Sequence, residues 1–527
     1  RVRAGICIRT VYDHTQNMSA LCAVALVVQP ALSARREIPR GRRPRAVSVR
    51  VRAGLIPEDV HSSSLKSTNL SPPASVEETP APAPDDTSHG FDTLCLHAGY
   101  SVHGDENTYG IGQGAPRGVP LHRSAPFQFK STKHAADLFA LRELGNIYSR
   151  LTNPTTHVLE SRVAQLEGGH PMAGLAVASG TSAVFYAIIN CAQAGDNIVS
   201  SNKLYGGTYT QFNEILPTMG ITVTFVDAED PNNFKGPIND KTRAVFCETV
   251  SNPALEICDL EAISKIAHDA GLPLIVDSTF STPYLTKPFD FGADIICSSL
   301  TKWMGGHGTG IGGVVVDKGT FNWGAGKHPL FDAPDNSYGG LRWGHDLPEG
   351  LAPLAYKMRM LTVPLRNLGA SISPDNSWIF LQGIETLSLR MERHCENSMK
   401  VATHLKAHPK VAWVKYPGLK DDPQYTKNQK YLKGKGGPMV VFGIKAEDST
   451  KAGQQFIDSL VLVSHVANVG DARTLAIHPA TTTHSQMSPE AQRAGGIPPE
   501  MVRLSVGLET CDDILADLDQ ALAKVGV

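Results

Sequence analysis

The chain has 527 residues, 41% of them hydrophobic and 19% charged, which allows about three domain-sized units, or two and a tail. That balance can build a core and excludes a mostly disordered, collagen-like or coiled-coil protein. The formal net charge of −2 is uneven: residues 1–54 hold eleven Arg, no Lys and only Asp13 and Glu37, a net +9 that leaves −11 for the rest, and an acidic body argues against nucleic-acid binding.

In chain order, the sequence opens on Arg1, with Met18 read as the initiator. An apolar run after Met18 gives way to a block with Arg35, Arg36, Arg40, Arg42, Arg43, Arg45, Arg50 and Arg52. Arg-rich and acid-poor, residues 1–54 read as an organellar transit peptide for a plastid or mitochondrion. A secretory signal and a cytoplasmic destination are the competing readings. The apolar run is about 12 residues, too short to cross a bilayer, and no other stretch reaches about 18, so no membrane span is expected. Residues 55–90, with Ser-Pro-Pro-Ala-Ser and Thr-Pro-Ala-Pro-Ala-Pro-Asp-Asp, read as a disordered linker. Folded structure is expected from Phe91.

From Gly174, apolar runs alternate with amphipathic ones. Strands are expected at Gly174–Ser179, Asn197–Ser200, Ile221–Val226, Ala244–Glu248, Leu274–Asp277, Asp294–Ser298 and Gly312–Val316, and helices at Thr181–Ala192, Thr208–Met219 and Leu260–Ala270. This alternation predicts an α/β domain around a mostly parallel sheet, over 151–370. One long helix is expected from Trp378 to about His408, then strands at Met439–Phe442 and Val502–Val506. A last helix is expected from Thr510, with Asp513 three residues on in a capping-box-like pattern and an apolar stripe of Ile514, Leu518, Leu522 and Val525. Residues 371–527 therefore read as a smaller α+β domain. The nine scattered cysteines form no C-x-x-C pair and read as reduced thiols; Cys191, Cys247 and Cys297 lie in apolar runs and suit packing.

Two motifs mislead. Gly308-Thr-Gly310-Ile-Gly-Gly313 matches G-x-G-x-x-G but precedes a strand, whereas a dinucleotide fingerprint follows one. Ser299-Leu-Thr-Lys302 matches S-x-x-K, but neither S-D-N nor K-T-G occurs. His478 and His484 lack an evident third ligand, so no metal site is expected.

Ligands in open α/β sheets sit at the carboxyl ends of strands. Asp277 ends one expected strand, Lys302 follows another, and Ser179-Gly180-Thr181-Ser182 joins a strand to a helix. Together they suit an aldehyde cofactor that bears a phosphate and a ring nitrogen. Lys302 would form the Schiff base, and Asp277 would hold the ring nitrogen protonated. The Gly180–Thr181 amides would face the phosphate, where the helix dipole helps, with the Ser299 and Thr301 hydroxyls beside them. Taken singly, Asp277 reads sooner as a helix cap, Lys302 as a surface charge and Ser179–Ser182 as an ordinary N-cap; the joint pattern points to the cofactor.

Four segments, Ser-Ser-Leu-Thr-Lys302-Trp, Val-Asp277-Ser-Thr-Phe, Tyr148-Ser-Arg150-Leu-Thr-Asn-Pro-Thr and Leu-Tyr205-Gly-Gly-Thr, resemble the Cys/Met-metabolism family of pyridoxal-phosphate enzymes, from about Phe91 to Val527. The resemblance implies a fold type I transferase with a seven-stranded-type sheet and pyridoxal 5'-phosphate as cofactor. It implies that Lys302 carries the cofactor and moves protons, that Asp277 meets the ring nitrogen, and that Tyr205 stacks on the ring and aids proton transfer. Gly180, Thr181, Ser299 and Thr301 would hold the phosphate, Asn252 would lie near the ring hydroxyl, and Arg503 would clamp the substrate carboxylate. Tyr148 and Arg150, in an N-terminal arm over 91–150, would reach a neighbouring subunit's phosphate site, so a homo-oligomer follows, as a dimer of dimers. Ser464-His-Val-Ala-Asn468-Val-Gly-Asp-Ala-Arg-Thr-Leu and Ile477-His-Pro-Ala-Thr-Thr-Thr-His484 resemble the branch that acts on O-acetyl-L-homoserine with sulfide. Gly207 stands where methionine γ-lyases carry Cys, and Asn468 where many cystathionine-type relatives carry Ser. The implied reaction is γ-replacement to homocysteine, or to methionine with methanethiol. A cystathionine γ-synthase, a methionine γ-lyase-type enzyme and an inactive scaffold are the alternatives.

Overall fold

The structure, a computed structural model, describes residues 89–526 except 102–115, 484, 486–487, 489, 491 and 493–495. The transit-peptide expectation, nearly all of the linker expectation, and His484 lie outside the described residues. The first described helix begins at Phe91, spans Phe91–His97 and packs on helices Pro154–Glu167 and Pro374–Glu385.

Seven strands form the large sheet: β1 (Gly174–Val177), β2 (Asn197–Ser201), β3 (Thr222–Val226), β4 (Thr242–Glu248), β5 (Leu274–Asp277), β6 (Ile295–Ser299) and β7 (Gly313–Asp317), in the order β1-β7-β6-β5-β4-β2-β3. Only β7 runs against its neighbours. Every residue of β1, β2, β4 and β7 is buried, the mark of a sheet covered on both faces, and it explains why these strands read as apolar runs rather than alternations. All seven strands were expected from the sequence, to within two residues at their ends.

Helix Gly180–Ile189 packs on β6 and β7. Helix Pro154–Glu167 starts where the Asn153 side chain accepts the Thr155 N–H at 2.9 Å and Pro154 presets the first turn. It stops at Gly168 in the left-handed region, φ 87°. The region expected as one helix over Thr208–Met219 begins earlier, at Gly206, and carries a π turn over Gln211–Ile215.

The smaller sheet has β8 (Val411–Lys415), β9 (Met439–Ile444), β10 (Ser464–His465), β11 (Leu475–Ile477) and β12 (Met501–Ser505), in the order β10-β11-β12-β9-β8. It is antiparallel except for β10 with β11. Of these, β8, β10 and β11 had no expectation; β10 and β11 are short, and β8 is only half-buried. The last helix, Cys511–Lys524, buries Ile514, Leu518 and Leu522 as its stripe requires. Thr510 precedes it, but its hydroxyl makes no cap bond, so the capping-box expectation fails.

The expected helix from Trp378 to His408 is two helices, Pro374–Glu385 and Leu387–Ala407, separated at Thr386 (φ −113°). The first begins earlier because Ser373 accepts the Asn376 N–H and Pro374 follows it. The second, at 21 residues, is about 30 Å long. Its Leu387, Met391 and Cys395 lie in the large core and its Val401, Ala402 and Leu405 in the small one. It is the strut between the two sheets.

At the start of β7, Gly313 lies directly against the turn that opens helix Gly180–Ile189. A Cβ there would stand 2.1 Å from the Ser179 carbonyl oxygen and 2.8 Å from the Gly180 nitrogen. Gly313→Ala should therefore cost about 1–3 kcal/mol of stability, read as a lowered urea midpoint with an unchanged slope.

Candidate active site

The parallel strands deliver their carboxyl ends to one edge of the sheet, where β4 ends at Glu248, β5 at Asp277 and β6 at Ser299. Glu248 and Asp277 are register partners. Burial raises the Asp277 carboxyl above the usual range, opposed by its bonds from Thr279. Burial, followed by repulsion from Asp277, raises Glu248 well above its ordinary value. Among the described residues no cation pairs with Asp277. Thr279 ties two strand ends together: its N–H donates to Asp277 Oδ1 at 2.9 Å, and its hydroxyl oxygen accepts the Ser299 N–H at 2.9 Å.

Lys302 lies in the turn after β6. Its backbone N–H donates to the Ser299 carbonyl at 3.2 Å and its carbonyl accepts the Gly306 N–H at 2.7 Å. The amine donates to Asn468 Oδ1 at 2.6 Å. Desolvation, followed by the charge of Arg503, pushes the amine down to about 8. Arg503, on β12, is only 8% exposed. Its Nη1 donates to Asn252 Oδ1 at 3.0 Å and its Nη2 to the Asn468 carbonyl at 3.3 Å. Burial pushes the guanidinium down to about 10. A buried Arg is ordinarily paired with a carboxylate; among the described residues Arg503 has none.

Ser179 caps helix Gly180–Ile189 by accepting the Ser182 N–H at 3.0 Å. The bland reading of this segment is thus correct as far as Ser179 goes. It leaves the Gly180 and Thr181 N–H groups without intrahelical partners at the positive end of the helix. A Cβ on Gly180 would stand 2.5 Å from the Ser299 Cβ, so only glycine lets the two lie side by side. The Thr301 hydroxyl accepts the Gly312 N–H at 3.1 Å. Tyr205 is 50% exposed, and its backbone N–H donates to Glu248 Oε1 at 2.6 Å. Its ring covers Gly207, where a Cβ would meet ring carbon at 2.5 Å.

Lys302, Asn468, Arg503 and Asn252 thus form one bonded chain, with Tyr205 close enough to act on the Arg503 charge. Tyr148 and Arg150 stand apart from it. Both are exposed, and the guanidinium lies 5.5 Å from the Tyr148 ring centroid.

Two contributors have no motif. Gly470 (φ +77°) lies against the Lys302 backbone, where a Cβ would come within 2.7 Å of the Lys302 carbonyl carbon. Glu248 could have been noticed as an acid ending an otherwise apolar strand. The glycines of the G-x-G-x-x-G decoy are there for close packing: a Cβ on Gly308 would meet Asp471 at 2.4 Å and one on Gly313 would meet the Ser179 oxygen at 2.1 Å. Among the described residues no cluster of His, Cys, Asp and Glu could hold a metal ion. His478 bonds to the Thr481 hydroxyl and the Pro499 carbonyl. The seven described cysteines are buried and free.

These groups fit a phosphorylated pyridine aldehyde: an amine pushed toward neutrality, an acid without a cation, and free helix-end amides beside two hydroxyls.

Residues 93–523 match the family described as Cys/Met metabolism PLP-dependent enzymes. The chain is 49% identical over 439 residues to the O-acetyl-L-homoserine sulfhydrylase of Leptospira meyeri, covering 82% of this chain and 97% of that one. It is 50% identical over 435 residues to O-acetyl-L-homoserine sulfhydrylase 1 of Thermus thermophilus, covering 82% and 100%. A crystal structure of a putative O-acetylhomoserine (thiol)-lyase from Campylobacter jejuni, which carries a pyridoxyl-lysine monophosphate, superposes with a TM-score of 0.77 at 39% identity, covering 82% and 100%.

With no cofactor bound, acylation of the Lys302 amine, followed by mass spectrometry, should titrate with a midpoint near 8. Arg503→Met should move that midpoint upward by removing a neighbouring positive charge. A lysine depressed on folding costs stability at low pH, because the unfolded chain binds the proton more tightly. Stability from this group should therefore rise as pH goes from about 8 toward 10.5.

Proposed function

The chain belongs to the Cys/Met metabolism PLP-dependent enzymes, and on that premise we propose γ-replacement on O-acetyl-L-homoserine, with sulfide giving homocysteine and acetate. The observation that carries this reading is the buried Arg503 fork, which pairs with no carboxylate among the described residues and is joined through Asn468 to the Lys302 amine. An amino-acid carboxylate is the partner such a fork lacks.

Lys302 would hold pyridoxal phosphate through its Nζ, and Asp277 would take the ring nitrogen. Gly180, Thr181, Ser299 and Thr301 would take the phosphate, Tyr205 would cover the ring, and Asn252 would lie near the ring hydroxyl. Bound there, the cofactor supplies an electron sink for negative charge at the substrate Cα and Cβ. Lys302 Nζ would remove the Cα proton, give it up to the bound cofactor and, neutral again, remove a Cβ proton, since one amine holds only one of the two at a time. At pH 8 about half of such amines are neutral, against about one in 300 for an ordinary lysine. Acetate leaves Cγ with its bonding electron pair, hydrosulfide bonds to Cγ, and Lys302 returns protons to Cβ and Cα. Asn468 Oδ1 keeps the amine aimed during these transfers, and Arg503 holds the carboxylate still. Methanethiol in place of sulfide would give methionine.

The exposed Tyr148 and Arg150, outside the bonded chain of Lys302, Asn468, Arg503 and Asn252, support completion of each phosphate site by a neighbouring copy, in a dimer at least and a dimer of dimers by family pattern. The Arg-rich composition of residues 1–54 supports delivery to an organelle.

The full chain with pyridoxal phosphate, given O-acetylhomoserine and equal sulfide and cysteine, should form mainly homocysteine; mainly cystathionine would overturn the assignment. Lys302→Ala should abolish turnover, and Asp277→Ala should lose it with the fold retained. Arg503→Lys exchanges a planar fork for a point charge. Losing one charge-assisted bond should lower kcat/KM about 10- to 100-fold.

A further inference from the structure

A second buried guanidinium lies directly behind Lys302. Arg390, on helix Leu387–Ala407, is 5% exposed. Its Nη1 donates to the Trp303 carbonyl at 2.6 Å. Its Nη2 donates to the carbonyls of Met304 at 3.0 Å and Gly383 at 2.7 Å. Its Nε donates to the Thr386 hydroxyl at 3.3 Å. No carboxylate pairs with it among the described residues, and burial pushes the guanidinium down to about 10. The protein therefore accepts the cost of an uncompensated buried charge, and two of its four partners are the carbonyls of the residues just after Lys302.

We infer that Arg390 is a positioning residue for Lys302. Three contacts fix the turn, and the first is made by Arg390 itself. Gly306 (φ +71°) closes the turn onto the Lys302 carbonyl at 2.7 Å, and a Cβ there would stand 2.0 Å from Arg390 Nη1. The turn is thus folded around the guanidinium. Gly383 packs so tightly on Gly305 that a Cβ would meet the Gly305 oxygen at 2.2 Å. Trp303, fully buried, packs edge-on against Phe280 with ring centroids 5.0 Å apart. Arg390 therefore holds the turn from the helix side, while Gly470 bears on Lys302 from the side of the smaller sheet. Without the fork, the Trp303 and Met304 carbonyls would be buried without donors, and the turn would open to find them. The Lys302 amine would then leave the position that Asn468 and the substrate require.

This inference rests on the proposed reaction, and the test separates the two. Arg390→Met, Arg390→Lys and a control, His394→Gln, are made in the full chain. His394 lies one turn further along the same helix, buried, with Nδ1 bonded to the Val506 carbonyl at 2.6 Å, and it does not bond to the turn after Lys302. Three quantities are measured: the rate at which each protein without bound cofactor captures pyridoxal phosphate at Lys302, trapped by borohydride and mapped by peptide; kcat and KM with O-acetylhomoserine and sulfide; and the melting temperature. Arg390→Met should slow both capture and kcat about 10- to 100-fold, with KM nearly unchanged. Arg390→Lys, which keeps the charge and part of the bonding, should recover part of each and serves if the Met variant does not fold. His394→Gln should lose melting temperature but keep capture and kcat near wild-type. Equal losses of capture and kcat in the Arg390 and His394 variants would reduce Arg390 to a structural staple and overturn the inference, as would wild-type capture in both Arg390 variants. A wild-type protein that makes no homocysteine would sink the proposed reaction, while the capture rates would still decide the role of Arg390.

Discussion

Two cations, Lys302 and Arg503, are held together with no carboxylate between them among the described residues, and Asn468 is the neutral group that touches both. Its side-chain oxygen accepts from the amine and its backbone oxygen from the guanidinium. An amide meets both without cancelling either charge. A carboxylate in its place would compete for the guanidinium and restore the amine to its ordinary basicity. The site's chemistry depends on that restraint: Arg503 remains available to a substrate carboxylate, and the lysine remains close to neutral.

A complementary tension exists on the sheet side. Glu248 and Asp277 end adjacent parallel strands as register partners, so their carboxyls compete, and burial raises both. Glu248 is already committed to the Tyr205 N–H, which places the aromatic ring at the mouth of the site. Asp277 keeps its place through Thr279 and pairs with no cation among the described residues. A positively charged ring nitrogen would relieve exactly one of the two acids. The two sheets thus contribute opposite halves: acids and free helix-end amides from the large one, and from the smaller one a cation with the asparagine that precedes it. The long helix Leu387–Ala407, with a foot in each core, keeps those halves in register.

Most of the large sheet was legible because its strands are short apolar runs bounded by turns and amphipathic helices, and burial on both faces writes that pattern into composition. Lys302 and Asp277 were legible for a related reason, since each follows an expected strand and the carboxyl ends of parallel strands converge. The failures were local. Thr510 has the residue type of a cap without the bond, and a continuous helical pattern from Trp378 conceals a break at Thr386. Helical periodicity survives one non-helical residue, so sequence spacing does not reveal it. The short strands β8, β10 and β11 take their structure from pairing with neighbours rather than from their own pattern.

By itself, the sequence determined the α/β order, the strand ends that carry Asp277 and Lys302, and the glycine-opened helix that faces Ser299, because each follows from periodicity or from adjacent residues. Only the tertiary structure decided that Arg503 pairs with no carboxylate among the described residues, that Asn468 bridges it to an amine 166 positions from that asparagine, that Gly470 bears on the Lys302 backbone, and that Arg390 grips the turn behind it. Those contacts join elements distant in the chain through single hydrogen bonds and close backbone approaches. Such contacts impose no repeat on the sequence around them, and folding alone brings the partners together.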